Sequence, residues 1–284
     1  MITGVFPNAR WGDLDANLSS ALLDFVKRQT LRSLRVCVVK DIPRAVFLRL
    51  VTSAPMLSFF QTHIEDAGGG PFATAPPDSS CIESLLFEAN STTVSDLLSR
   101  QQLSDHVANL RRLSLMLGDG MNMIWATAPT LEYIRLDGSC FNSGHFLQLF
   151  PAFPSLRSLE IVLNFSQRMA PWLIDVISRI FASDAQSRSP TITEMIVTFY
   201  HPWYRMSPAD ISAQTFTFPA ALERVLFRHP TVPCVLWRAQ DHEGSFAHFA
   251  RFVRAAMPNM QAREKVALEQ FASNWNGVTG YLWT

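Results

Sequence analysis

Acid–base and metal chemistry need carboxylate, imidazole or thiol groups, and the sequence concentrates these around Asp241-His242-Glu243. His229, Cys234 and His248 lie nearby in the sequence. These residue types bind zinc and transfer protons. Their spacing matches no recognised ligand pattern, however, and capping or solvation in a polar turn before a helix explains three adjacent polar residues. Capping is the favoured interpretation, and metal or acid–base chemistry stays open as the alternative.

A second polar group, His63-Ile64-Glu65-Asp66, opens a glycine-rich segment and receives the same interpretation. The chain contains no G-x-S-x-G, no P-loop, no G-x-G-x-x-G and no H-E-x-x-H motif. The sequence therefore predicts no catalytic residues, no metal, no cofactor and no enzymatic activity. An enzyme with a site at a loop rim remains an alternative function.

The composition favours a globular protein, because 48% of the 284 residues are hydrophobic and 17% are charged. The 24 basic and 24 acidic residues give zero formal net charge, which argues against a main role in binding nucleic acid or an anionic membrane. The cysteines form no C-x-x-C pair, which favours reduced thiols. With no secretory signal pattern and no long apolar run, the sequence predicts a cytoplasmic or nuclear protein. The four cysteines are Cys37, Cys81, Cys140 and Cys234.

Apolar residues recur with the spacing L-x-x-L-x-L along most of the chain. The best copies are Leu110-Leu113-Leu115, Leu131-Ile134-Leu136 and Leu156-Leu159-Ile161, and weaker copies begin at residues 31, 57, 82, 192 and 222. The steps between copies bracket the roughly 20 to 29 residues of a leucine-rich repeat. Each copy predicts a strand followed by a helix, which buries its apolar side only when stacked on neighbours. The sequence therefore predicts an α/β fold, a right-handed leucine-rich-repeat solenoid (horseshoe) with a parallel concave sheet and outer helices.

A helical cap is expected at each end of the repeats. The first has Asp13 as its N-cap and places Leu18 and Phe25 on an apolar face. The second consists of two helices, GSFAHFARFVRAAM and AREKVALEQFAS. The predicted single domain covers residues 1–284, with the N-terminal cap over 1–29, about eight irregular repeats over 30–230, insertions at 65–80 and 200–220, and the C-terminal cap over 244–284.

Strand geometry predicts which side chains meet a partner. Side chains of a strand alternate between faces, so the third, fifth and seventh positions of each copy face away from the helices, onto the concave surface. Arginine, tyrosine and carboxylates on one surface are typical of protein recognition. For any one residue the alternative is charge pairing across strands. The predicted protein-binding residues are Arg112, Ser114, Tyr133, Arg135, Asp137, Ser158, Glu160 and Glu194.

Two aromatic residues in the second insertion, Trp203 and Tyr204, are either interface anchors or a folded-back plug. The repeats and the concave surface that they present favour a non-catalytic protein–protein recognition scaffold. Its partner is a protein of unknown identity, and neither nucleic acid nor a membrane is expected. A degenerate repeat protein with no specific partner is a further alternative.

Three patterns follow one another in the first part of the chain: W-x-D-L-x-x-x-L-x-x-A-L from Trp11, T-L-x-x-L-x-V from Thr30 and D-I-P from Asp41. Together with the tail ALERVLFR…FVRAAMPNMQAR, this order resembles the leucine-rich-repeat regions of F-box-like proteins from mushroom-forming fungi. The resemblance covers nearly the whole chain. It implies the substrate-binding part of a ubiquitin-ligase receptor, in which an F-box engages the ligase adaptor while the repeats hold a target. Only ten residues precede Trp11, fewer than an F-box needs, so the adaptor is implied as a partner only if an F-box precedes Met1.

Overall fold

The computed structural model describes residues 2–3, 9–28, 31–65, 82–87, 92–100, 103–116, 121–138, 150–164, 171–186, 190–200, 217–240 and 245–271. The chain divides into two compact units, Met1–Asp137 with Gln148–Leu156 and Gly138–Leu147 with Arg157–Thr284. Both units are mixed α/β, with parallel strands and helices, which confirms the α/β class and the parallel pairing predicted from the sequence.

Short strands alternate with helices in the first unit. The helices are α1 (Ala16–Arg28), α2 (Arg44–Val51), α3 (Thr92–Leu98), α4 (Ser104–Val107) and α5 (Met121–Thr127). The strands are β1 (Ile2–Thr3), β2 (Ala9–Arg10), β3 (Ser33–Cys37), β4 (Val39–Lys40), β5 (Ile42–Pro43), β6 (Met56–Phe60), β7 (Ile64–Glu65), β8 (Ser84–Phe87), β9 (Arg112–Met116) and β10 (Tyr133–Asp137). Strands β1, β3, β6, β8, β9 and β10 form a parallel sheet in that order, while β2 pairs with β4 and β5 with β7.

Rows of apolar side chains on the sheet of the first unit pack against its helices. Phe59 on β6 contacts Phe47 of α2, with their ring centroids 5.9 Å apart. The sequence predicts that the first, fourth and sixth positions of the repeat pattern are buried. This is confirmed for the fourth and sixth positions and for four first positions, whereas Leu31 is half-buried. The row of fourth positions comprises Leu34, Leu57, Leu85, Leu113 and Ile134, and the sixth positions are Val36, Phe59, Phe87, Leu115 and Leu136.

The second unit repeats this arrangement around a buried tryptophan. Trp237 is fully buried, stacks on Phe199 at 5.8 Å and meets the edges of Phe218 and Phe249 from two helices. The strands, parallel and adjacent in this order, are β11 (Ser158–Asn164), β12 (Glu194–Tyr200), β13 (Cys234–Gln240) and β14 (Val266–Phe271), and the helices are α6 (Pro171–Ala185), α7 (Thr217–Phe227), α8 (Ser245–Ala256) and α9 (Pro258–Ala262).

Two predicted repeat copies have the wrong register or the wrong structure. Leu57 pairs with Leu34, so the buried frame of that copy is Ala54-Leu57-Phe59, three residues earlier than predicted. The copy at Leu222 lies inside helix α7, where Phe218, Leu222 and Leu226 are buried at the four-residue spacing of a helix. The strand of that repeat is β13, which follows the helix. An apolar-rich helix satisfies L-x-x-L-x-L by chance, and this coincidence caused the error.

Both predicted caps differ from the sequence-based description. The N-cap of α1 is Asp15, whose Oδ1 accepts the amide of Asn17 at 2.8 Å, and not Asp13. Leu18 and Phe25 are 50% and 56% exposed, so they are not core residues. The second closing helix is wrong over residues 266–271, because Val266–Phe271 forms edge strand β14. β-branched and aromatic residues at its ends favour a strand.

Most of the two predicted insertions, residues 66–80 and 201–216, lies outside the described residues, as do Trp203 and Tyr204. Glu65 belongs to β7, and residues 217–220 begin helix α7. Asp241-His242-Glu243, Cys81 and Cys140 also lie outside the described residues.

Candidate recognition surface

Arg112 and Tyr133 form the most accessible pair among the predicted binding residues. Parallel pairing of β9 with β10 sets the two residues directly opposite each other at the amino-terminal ends of their strands. Neighbouring strands lie about 4.8 Å apart, so the side chains lie side by side on the face away from the helices. Arg112 is exposed and Tyr133 is half-buried. A planar cation and an amphipathic ring are therefore both available to a partner.

Arg135 follows Tyr133 by two residues on β10, so it lies on the same face of the sheet, and it is almost completely buried. Its Nη1 donates to Ser114 Oγ at 3.1 Å, and its Nη2 lies 3.7 Å from Asp137 Oδ2. The Arg135 side chain is only 4% exposed, whereas that of Asp137 is 22% exposed. A buried guanidinium needs such partners because desolvation penalises an unpaired charge. Arg135 and Ser114 therefore form a buried hydrogen-bonded pair beside the Arg112–Tyr133 pair on the same strands, and Asp137 is partly accessible.

The predicted binding residues of the second unit also form pairs. Ser158 Oγ donates to Glu194 Oε2 at 2.8 Å on the neighbouring strand, and both residues are half-buried. Thr198 Oγ1 donates to Glu160 Oε1 at 2.7 Å, and both residues are buried. Charge-assisted hydrogen bonds of this kind are stronger than neutral ones and fix side-chain geometry. Glu160 is therefore part of the interior, while Ser158 and Glu194 remain within reach of a partner.

The face away from the helices is less open than the repeat pattern predicts. In the first unit Ser58, Ser84 and Leu86 on this face are at most 5% exposed, and in the second unit Val162 is fully buried. Parallel sheets are commonly covered on both faces, and their strands then carry apolar residues at successive positions. Leu86 and Val162 are apolar, and their presence at outward-facing positions is the sequence signal for such burial. Of the eight predicted binding residues, Ser114, Arg135 and Glu160 are buried and the other five are accessible.

A buried histidine network ties together three segments of the second unit. His229 Nε2 lies 3.0 Å from Asp184 Oδ2, and its Nδ1 lies 2.8 Å from Thr231 Oγ1. Asp184 also accepts the amides of Thr191 and Ile192. The order of groups is that of a hydrolytic triad, but the His229 side chain is 0% exposed and the edge of the Phe181 ring packs against it. A substrate cannot reach the ring in this position, so the network is structural.

The remaining chemically capable residues are dispersed. Cys234 is exposed, with Lys265 Nζ 3.7 Å from its Sγ. His63 pairs with Asp41 at 3.2 Å on the surface of the first unit. Burial lowers the pKa of His106, and the Asp105 carboxylate opposes this with a smaller upward effect. Across the part of the chain that the structure describes, no three histidine, cysteine or acidic side chains come together as metal ligands.

No helix among the described residues is long and apolar enough to cross a bilayer. The chain matches no protein-family model, and no curated protein and no solved structure matches it.

Proposed function

We propose that the chain is a non-catalytic scaffold that recognises another protein through the Arg112–Tyr133 pair and the accessible residues around it. The observation that carries the proposal is the parallel register that sets these two residues side by side, with Arg135 and Asp137 hydrogen-bonded or ion-paired nearby. Arginine and tyrosine are enriched among the residues that dominate binding energy at protein interfaces.

The architecture we propose for both units is a stretch of right-handed leucine-rich-repeat solenoid. Burial of the fourth and sixth positions in successive strands supports it, because each repeat then covers the apolar side of the next. The fungal F-box-like resemblance adds a narrower proposal, that the chain is the substrate-binding part of a ubiquitin-ligase receptor. Under that proposal the recognised protein is a target for ubiquitin transfer.

Quantitative affinity purification of the tagged chain tests recognition at this surface. The test variant replaces Arg112 and Tyr133 with alanine. Its matched control replaces Arg49 and Trp125, an exposed arginine and a 52% exposed aromatic on helices of the same unit. We expect the test variant to lose a reproducible partner by about tenfold or more, the effect of roughly 1.4 kcal/mol, while the control retains it. An unchanged set of partners in the test variant contradicts the proposal.

The ubiquitin-ligase proposal has its own readout. If the chain presents targets to a ligase, the captured partner carries ubiquitin in cells that express the wild-type chain. The amount of ubiquitin on that partner should then be lower in cells that express the Arg112→Ala plus Tyr133→Ala variant, and unchanged in cells that express the control variant. Recovery of the partner without any change in its ubiquitin would reject the ligase role and leave recognition standing.

A further inference from the structure

Exposed arginines gather on the helices of the second unit, although the chain as a whole has zero net charge. Residues 217–228 and 245–264, which contain α7, α8 and α9, hold five arginines and two glutamates and no lysine or aspartate. The three helices pack against one another. The arginines, which we call the arginine patch, are Arg224, Arg228, Arg251, Arg254 and Arg263, and all five are exposed.

The two glutamates do little to neutralise the arginine patch. Glu223 is 6% exposed and points inward, where its Oε1 accepts the Met260 amide at 2.8 Å and its Oε2 accepts from Asn259 at 3.3 Å. Only Glu264 is an exposed acid in these segments. Charge is therefore segregated on this surface, and such a surface attracts anions over about a Debye length.

Phe227 contacts one member of the arginine patch and lies close in sequence to two others. The Arg263 guanidinium carbon lies 4.4 Å from the centroid of the Phe227 ring, a cation–π contact that holds the guanidinium plane over the ring. Arg224 and Arg228 lie three residues before and one residue after Phe227 at the end of α7. Arg263 can donate from its edge while its face stays on the ring, which suits the planar oxygens of a carboxylate. Arg263 occupies one face of the ring, and Phe227 remains 36% exposed, so the RNA arm of the test below measures whether a nucleobase stacks there instead.

We propose that the arginine patch is a second docking surface, separate from the Arg112–Tyr133 pair, and that it binds an acidic, Asp/Glu-rich segment of a partner polypeptide. Charge complementarity carries the assignment, and the arginine side chains provide bidentate contacts to successive carboxylates.

Fluorescence polarisation tests the proposal with a labelled twelve-residue peptide rich in Asp and Glu, its Asn/Gln counterpart and a single-stranded RNA of twelve nucleotides. We expect the acidic peptide to bind and the neutral counterpart to bind at least about tenfold more weakly. Affinity for the acidic peptide should also fall as salt rises from about 50 to 200 mM. Arg228→Ala plus Arg263→Ala should weaken binding by about tenfold.

The matched control is Arg32→Ala plus Arg49→Ala, which removes the same charge from exposed arginines of the first unit. Thermal melts of all variants establish that they remain folded, and Arg263→Lys separates planar contacts from charge alone. Absence of acidic-peptide binding, equal weakening by the control pair, or tighter binding of the RNA than of the peptide would each overturn the assignment. Because the Arg112–Tyr133 test uses different residues, its outcome is independent of this one.

Discussion

Arg135 and Glu160 are charged residues that the sheet keeps in its interior. Sequence periodicity correctly places both on the face away from the helices, but it cannot tell whether that face is covered. Burial of a side chain on that face depends on what packs against the face. Leu86 and Val162 are also on the outward-facing positions of their units and are fully or almost fully buried, and their apolar type is the sequence sign that the face is covered. A charge at such a position is retained only with hydrogen-bonding partners, here Ser114 and Thr198.

Replacing Arg135 with methionine should destabilise the first unit by about 2 kcal/mol, because the Ser114 hydroxyl and the Asp137 carboxylate lose a buried partner. Arg112→Met on the neighbouring strand is the matched control, since Arg112 is exposed and its loss should change stability by less than about 0.5 kcal/mol. Urea unfolding measures both variants. Equal stability of the two would mean that the Arg135 network contributes nothing.

His106 should make the stability of the folded chain depend on pH. Burial lowers its pKa below the ordinary 6.5, so the unfolded chain takes up a proton at a higher pH than the folded chain does. Below pH 6.5 the unfolded state therefore binds more protons, and the free energy of unfolding falls as the pH drops from about 7.5 to 5.5. His106→Gln should flatten this dependence when urea unfolding is measured across that range. A wild-type slope in His106→Gln would contradict the assignment.

At the scale of elements, much of the fold is predictable because strand and helix periods differ. Strands β9, β10 and β11 are predicted around Leu113, Ile134 and Leu159, because three copies of L-x-x-L-x-L follow one another there at intervals of 21 and 25 residues. The Leu222 copy failed because an apolar helix satisfies the same spacing. The Asp184–His229 contact could not be predicted, since it joins residues 45 apart that only the stacked elements bring together.

Asp184 joins the end of α6 to the segments that precede β12 and β13. Asp184→Asn should lower the free energy of unfolding by about 3 kcal/mol, because the buried contact of its carboxylate with His229 is weakened and an amide nitrogen then faces the Thr191 or Ile192 amide. Hydrogen exchange should accelerate first at Ile192 and its neighbours. Asp175→Asn on the same helix is the control, since that carboxylate is 55% exposed and its i,i+4 pair with Arg179 contributes about 0.5 kcal/mol or less.

At the scale of the whole molecule, the central question is whether stability is shared globally or passed between adjacent repeats. In a stack of repeats the stability of each strand depends mainly on its neighbours, so the effect of a local defect should weaken with distance from it. Leu113→Ala places such a defect in β9, where the side chain is fully buried, and should cost about 3 kcal/mol.

Hydrogen exchange with mass spectrometry should then rise most in β8 and β10, which pair directly with β9, less in β6 and least in β3. Arg112→Ala, one residue earlier on the same strand and exposed, should leave the exchange pattern unchanged. A uniform rise across all strands of the first unit would instead indicate one cooperative core. That outcome would argue against the solenoid proposed for this unit, because in a stack of repeats the loss of a buried side chain should raise hydrogen exchange first in the repeats that pack against it.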